Sequence, residues 1–306
     1  MPIKPGLHDI KPDAYHLDVC PKPSLSASIA KLLLEYSPRH AWFAHPRLNP
    51  DYEPEESTQF DIGSAAHTLL LRDERALTVI AADSFRTKEA KALRDAARLT
   101  GSIPILEKHY DDVRRMADAA RVQLAAGDAK DAFVNGKPEQ TLIHEDGGTW
   151  FRSMLDWLPN EGATFYDYKS TGGSASPELW RRAVFDRGYD VQAAFYRRMI
   201  RAVLGIRDPQ FAFVIQETSP PYCLSVIGLT PAAVDLAERK VDEAIRIWRW
   251  CMERDSWPGY PAHVCYVDAP PWQEARQMER EVIRDQYERN DLKRLADWQA
   301  PLGNER

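Results

Sequence analysis

"MLDWLPNEGATFYDYKST", Met154 to Thr171, holds two short β-rich runs around a turn. Alternating side-chain character predicts a strand in each run, and Pro159, Asn160 and Gly162 predict a tight connection between them. With Pro159 opposite Thr164, the stretch Asn160–Ala163 forms the loop, a common hairpin length. That register sets Asp156 across from Asp167, on one face, with Cβ atoms about 4.5–5.5 Å apart. Two carboxylates so close raise each other's pKa unless a cation lies between them. A divalent ion removes that cost, and Mg²⁺ commonly joins one or two carboxylates with substrate phosphates. Lys169 lies two residues past Asp167 and shares its face. There its ammonium can orient a nucleophilic water and offset charge on a reacting phosphate. The trio therefore suits metal-assisted phosphodiester hydrolysis. An ordinary ion cluster on an exposed sheet face accounts for the same residues equally well, and a register slip of one would separate them.

The sequence on either side supplies the frame. "EQTLIHED" and "TWFRSMLDWL" precede "TFYDYKS" as further β-rich runs. Upstream, residues 1–23 are rich in proline and read as irregular. "SLSASIAKLLLEY" reads as a short helix with Ser26 as its N-cap, and "SPRHAWFAHP" ends it. Residues 46–58 read as an acidic loop. "TQFDIGSAAHTLLL" opens another helix, "VIAADSF" a strand or extended loop, and helices follow near 87–100 and 108–126. Downstream, "ELWRRAVFDRGYDVQAAFYRRMIRAVLG" reads as helical with a break near Gly188. "QFAFVIQET" and "YCLSVIGLT" read as a strand pair turned by "SPP", and helices run from Pro231 to about Asp255 and from Pro271 to about Trp298. This order of elements predicts one α/β domain with a central mixed sheet flanked by helices.

Bulk properties narrow the class. The chain has 306 residues, 44% hydrophobic and 28% charged, which is ordinary globular composition. The formal net charge of −6 argues against a nucleic-acid coat protein but leaves room for an enzyme with a local basic groove. No run of 18 apolar residues is present, and "MPIKPGLHDI" lacks the charged-then-apolar signal pattern. The expectation is no membrane association and a cytoplasmic setting. Cys20, Cys223, Cys251 and Cys265 form no CxxC pair and read as free thiols, their gaps being too wide for a compact iron–sulfur cluster.

"LDW" followed by "DYK" resembles the PD-(D/E)XK nuclease superfamily, with Asp167 where a glutamate often stands. "GSAAH", Gly63 to His67, resembles the G-x-x-x-H helix of RecB-like nucleases. Gln192 and Tyr196 in "YDVQAAFYRRM" match the Q-x-x-x-Y element of that branch. "LSASIAKLLLEYSPRHAWF" and "SASPELWRRAVFDRGYDVQAAFY" are similar to the exodeoxyribonuclease VIII (RecE-type) nuclease domain. The likeness spans about residues 14–200. One departure is Ser153-Met154 where relatives usually carry Gly-Arg or a similar small pair.

The resemblance implies a restriction-endonuclease-like core, about 58–230, within a single domain 1–306, with residues 1–57 and helices 231–306 as additions. It implies His67, Glu139, Asp156, Asp167 and the Tyr168 carbonyl as ligands of two Mg²⁺ or Mn²⁺ ions. Lys169 is the implied catalytic lysine, acting with Glu139, Asp156 and Asp167. Gln192 and Tyr196 would contact DNA or the lysine motif. Arg181, Arg182 and Arg197 lie in a basic cluster around that helix and would meet phosphates, or else form a solvated face. The implied activity is 5′-to-3′ resection of double-stranded DNA ends, leaving 3′ single strands for an annealing protein, in a bacterial or phage recombination setting. A homo-oligomer is consistent with it. The competing expectations are an AddB-like iron–sulfur nuclease and an inactive DNA-end-binding protein of the same fold.

Overall fold

The computed structural model describes residues 3–53, 62–72 and 77–290. The chain forms two compact units, Met1–Gly259 and Tyr260–Arg306. In chain order the first unit contains β1 (Gly6–Asp9), α1 (Pro12–His16), β2 (Ser24–Leu25), α2 (Ala27–Glu35), α3 (Pro38–Phe43), α4 (Ile62–Leu71) and β3 (Leu77–Ile80). It continues with α5 (Lys88–Leu99), β4 (Ile103–Leu106), α6 (Glu107–Ala125), β5 (Gly136–Asp146), β6 (Thr149–Pro159) and β7 (Thr164–Thr171). It ends with α7 (Pro177–Asp186), α8 (Tyr189–Leu204), β8 (Gln210–Glu217), β9 (Leu224–Gly228) and α9 (Pro231–Arg254). The second unit holds α10 (Pro271–Asn290); the remainder of the expected last helix lies outside the described residues.

A mixed sheet flanked by helices is built from two hydrogen-bonded parts, ordered β1-β5-β6-β2 and β7-β8-β9. β5 and β6 are antiparallel over their full length, whereas β2 joins β6 in parallel. β7 runs parallel to β8 from Thr164↔Gln210 to Thr171↔Glu217, and β9 returns antiparallel. The parallel pair requires a long crossover, which α7 and α8 provide. The expected hairpin ladder between β6 and β7, with Asp156 opposite Asp167, does not form. β6 is paired by β5 and β2, and β7 spends one edge on β8. At the seam, the Tyr168 amide donates to the Asp156 carboxylate at 2.8 Å. A side chain thus takes a backbone donor that a ladder would have used.

Two apolar cores line the opposite faces. One joins α2, α7, α8 and α9 to Phe165 of β7 and Phe211, Phe213 and Ile215 of β8. The other joins α4 and α6 to Tyr168 and Val214. Odd positions of β7 and β8 face the first core and even positions the second, as the two-residue strand period requires. Asp167 and Lys169 consequently belong to the α8 face. α8 is buried around nearly its whole girth, including Asp190, Gln192 and Arg197, so it reads as a central helix. Gly188, at φ 63, makes the break between α7 and α8 by adopting a left-handed turn.

The N-terminal stretch is more ordered than its prolines suggest. β1 pairs with β5, α1 follows, and α3 forms where the sequence reads as a helix stop. Pro12 and Pro38 sit at helix starts, where proline's missing N–H costs nothing. Ser26 caps α2 as expected, accepting from the Ile29 amide.

Candidate active site

The site lies at the seam where β6, β7, α4 and α8 meet. α4 opens with Gly63, Ala65 and Ala66, small residues that bring its backbone close to the sheet and carry His67 to the seam. His67 Nε2 lies 3.1 Å from Asp156 Oδ2, and its ring stacks on Tyr168 at 5.6 Å between centroids. The same Asp156 oxygen accepts from the Tyr168 amide. Burial alone would raise the Asp156 pKa, but the close approach of His67, with Lys169 beyond and the Tyr168 amide, brings it below the usual carboxylate range. For His67 burial lowers the pKa, and Asp156 more than reverses that.

Asp167, only 2% exposed, is held on both oxygens. Gln192 Nε2 donates to Oδ1 at 2.7 Å, and Lys169 Nζ lies 2.5 Å from Oδ2. Burial, followed by the charge of Asp156, pushes the Asp167 carboxyl up to about 6. Lys169 moves the other way around: burial would lower its pKa, yet Asp167 and Asp156 raise it above the ordinary lysine value, so the ammonium stays charged. Its Nζ also sits 5.3 Å from the centre of the Tyr189 ring. One face therefore presents two inequivalent carboxylates and a fixed cation, the constellation that sets acid and base roles apart.

Glu139 lies between the pairs Pro138↔Trp157 and Gln140↔Leu155, hence across the ladder from Asp156. Its φ of 49 puts a non-glycine residue in the left-handed region, a strain of about 1–2 kcal/mol. Its carboxylate is gripped by Arg72, which follows α4. Among the described residues, no three His, Cys, Asp or Glu side chains stand together as a ready metal cluster. Each acid is instead paired within the protein: Asp156 with His67, Asp167 with Lys169, Glu139 with Arg72. Even so, His67 Nε2, Asp167 Oδ2 and Glu139 Oε2 are buried without a well-formed hydrogen bond. Ligand-type atoms left in that condition fit a divalent cation, and their carboxylate oxygens suit Mg²⁺ or Mn²⁺.

The profile of the PDDEXK-like domain of unknown function (DUF3799) matches residues 26–270, well over half the chain. The chain belongs to this PDDEXK-like family. The fold of this PDDEXK-like chain is similar to the crystal structure of a provisionally assigned exonuclease from Eubacterium rectale, with TM-score 0.56 and 14% identity. That alignment covers 86% of this chain and 96% of the other. A phage-related exonuclease from Haemophilus somnus 129PT aligns over 63% of this chain and 95% of its own, at 13% identity. Its TM-score of 0.29 carries no weight for the fold. No curated protein matches.

The DNA-facing residues expected from the sequence separate into distinct groups. Gln192 is buried and touches Asp167, so its place is within the site, behind the acid. Tyr196 is buried against Phe211 at 5.5 Å between ring centroids. Arg197 is buried too, donating to the Pro209 carbonyl and, at 3.1 Å, to Asp208. Both side chains are thus largely occupied within the protein, Tyr196 where contact with DNA or the lysine motif is expected and Arg197 where contact with phosphate is expected. Arg181 and Arg182 are exposed on α7, in helix-surface pairs with Glu178 and Asp186. Two residues absent from the expected set stand at the site: Arg72 against Glu139, and Tyr189 beside Lys169. Tyr189 opens the Gln-Tyr helix and was within reach of the sequence pattern; Arg72 carried no distinguishing signal. The four cysteines are free, Cys20 and Cys251 buried, Cys223 and Cys265 exposed.

Proposed function

We propose that this PDDEXK-like chain is a Mg²⁺- or Mn²⁺-dependent DNA exonuclease acting on double-stranded ends. The observation that carries this reading is the convergence of Asp156, Asp167 and Lys169 at one seam, with His67 from α4 and Gln192 from α8 holding the two acids. His67, Glu139, Asp156, Asp167 and the Tyr168 carbonyl would hold the divalent ions. When bound, such ions lower the pKa of water and offset negative charge on the reacting phosphate. Asp156 is kept ionised by His67 and the Tyr168 amide. Asp167 is aimed by Gln192, so it cannot rotate away from the seam. Lys169 offers a charged donor beside both acids, suited to orienting the attacking water and to stabilising charge on the phosphate in the transition state.

Resection from 5′ ends, supply of 3′ strands to an annealing protein, assembly into a homo-oligomer, and a bacterial or phage-infected cell as the setting belong to this proposal through the family likeness. Residues 1–259 form the unit to which we assign the catalytic role. No helix among the described residues is long and apolar enough to cross a membrane. The test is linear duplex DNA incubated with Mg²⁺. Wild type is expected to release nucleotides, and Lys169→Ala to bind DNA while losing at least about a hundredfold in rate. No release by wild type would overturn the nuclease reading. A Mn²⁺-soaked crystal whose anomalous density lies away from Asp156 and Asp167 would overturn the site.

A further inference from the structure

Lys31 stands on α2, in the apolar run "IAKLLL", where a lone lysine has no packing reason to be. Its ammonium is carried to the active-site seam. Nζ lies 5.5 Å from the centre of the Tyr189 ring, the same ring that Lys169 approaches at 5.3 Å. Among the described residues its hydrogen bond is to the Arg187 carbonyl, at 3.4 Å. Among the described residues it forms no ion pair, whereas Lys169 is paired with Asp167. Burial, and then the charge of Lys169, lowers its pKa against the opposing charges of Glu35, Asp167 and Asp190.

The backbone is shaped to admit this lysine. A Cβ at Gly188 would lie 2.6 Å from Lys31 Cδ and 2.5 Å from the Glu35 carboxylate, so the lysine stem rests against bare backbone at the α7–α8 joint. Two ammonium groups on one aromatic wall repel, and Glu35, Asp167 and Asp190 offset this for Lys31 without coming within ion-pair distance of it among the described residues. An anion arriving at the seam relieves it, and a phosphodiester is the anion that Lys169 already faces under the proposed reaction.

We propose that Lys31 is a substrate-positioning residue that holds the backbone phosphate next to the scissile one, with Tyr189 as the wall shared by Lys31 and Lys169. This rests on the nuclease reading above. Lys31 adds a contact made equally in the ground and transition states. Its loss is therefore expected in binding rather than in turnover.

The experiment compares wild type, Lys31→Gln and Lys31→Arg on 5′-phosphorylated linear duplex DNA. Cleavage is followed with Mg²⁺, and binding by anisotropy with Ca²⁺ over a series of salt concentrations. Lys31→Gln is expected to raise KM roughly tenfold with kcat within about twofold. It is also expected to lower the slope of log K against log salt by about 0.9, the signature of one lost phosphate contact. Lys31→Arg is expected to restore the slope. A merely structural lysine would lower Tm in Lys31→Gln and leave the salt slope unchanged. An unchanged slope in a variant that binds DNA overturns the proposal. Wild type that binds DNA without cutting it would count against the nuclease reading, while the slope would still judge Lys31. Wild type that does neither overturns both.

Discussion

Replacing Gln192 by Leu isolates the support behind Asp167. Leucine keeps most of the volume and removes the donor. The bond lost is charge-assisted, buried, and 2.7 Å long. Hydrogen bonds to ionised groups contribute about 1.5–3 kcal/mol. That bond favours the ionised carboxylate, so its loss favours the protonated form. At 1.36 kcal/mol per unit, the Asp167 pKa is expected to rise by about 1–2 units above its starting value. Burial and Asp156 already hold that value up at about 6. The proposed reaction needs Asp167 ionised, so activity is expected to rise with pH through this titration. The acid limb of kcat/KM for nucleotide release should move to higher pH by the same 1–2 units. Activity near neutrality should fall by roughly two- to tenfold and recover under alkaline conditions. The assay is initial rate on linear duplex DNA over roughly pH 5 to 9, with Tm measured alongside. A rate profile superposable on wild type would refute the claim that Gln192 governs Asp167. A uniform loss without a pH shift would assign Gln192 to geometry alone.

Two further expectations concern the frame. Asp18 is buried, accepts from the Ser24 amide and hydroxyl, and lies 3.4 Å from His45 and 3.3 Å from Arg152. Burial would raise its pKa, but the His45 bond and the Arg152 charge outweigh that and hold it at about 2. The folded form therefore favours ionised Asp18, a stabilisation complete above the unfolded value near pH 4 and lost as pH falls through about 2. Urea unfolding of wild type and Asp18→Asn should show wild type losing about 2 kcal/mol more between those limits; parallel curves would refute it. Gly136 admits no side chain, since a Cβ there would lie 2.4 Å from the Leu158 carbonyl and from the Trp157 indole nitrogen. Gly136→Ala should destabilise by about 1–3 kcal/mol through the start of the β5–β6 ladder, and an unchanged Tm would contradict that.

Much of the chemistry was visible along the chain because its parts are close in sequence. Asp156, Asp167 and Lys169 lie on consecutive strands, and strand period alone places Asp167 and Lys169 on one face. His67 and Gln192 each stand on a helix whose apolar pattern is strong, so their elements were legible without contacts. The partner of each strand was not. A hairpin count supposes that neighbours in sequence pair in space, yet β7 pairs with β8 across the α7–α8 crossover and leaves its seam with β6 to a carboxylate. Local spacing carries no record of which edge a distant strand will occupy.

Burial was hidden for the same reason. Tyr196 and Arg197 follow Gln192 on one helix, and periodicity could not tell that Phe211 of β8 and the Asp208–Pro209 segment would occupy them. The residue types and their order along the chain determine the acids proposed to hold a cation, the lysine beside them, and the helices and strands that bear them. Only the tertiary structure decided that Gln192 meets Asp167, that Arg72 meets Glu139, and that Lys31 reaches the ring beside Lys169. Those contacts join residues 25 to more than 150 positions apart, brought together by apolar burial, which selects the packing of whole faces and is indifferent to sequence distance.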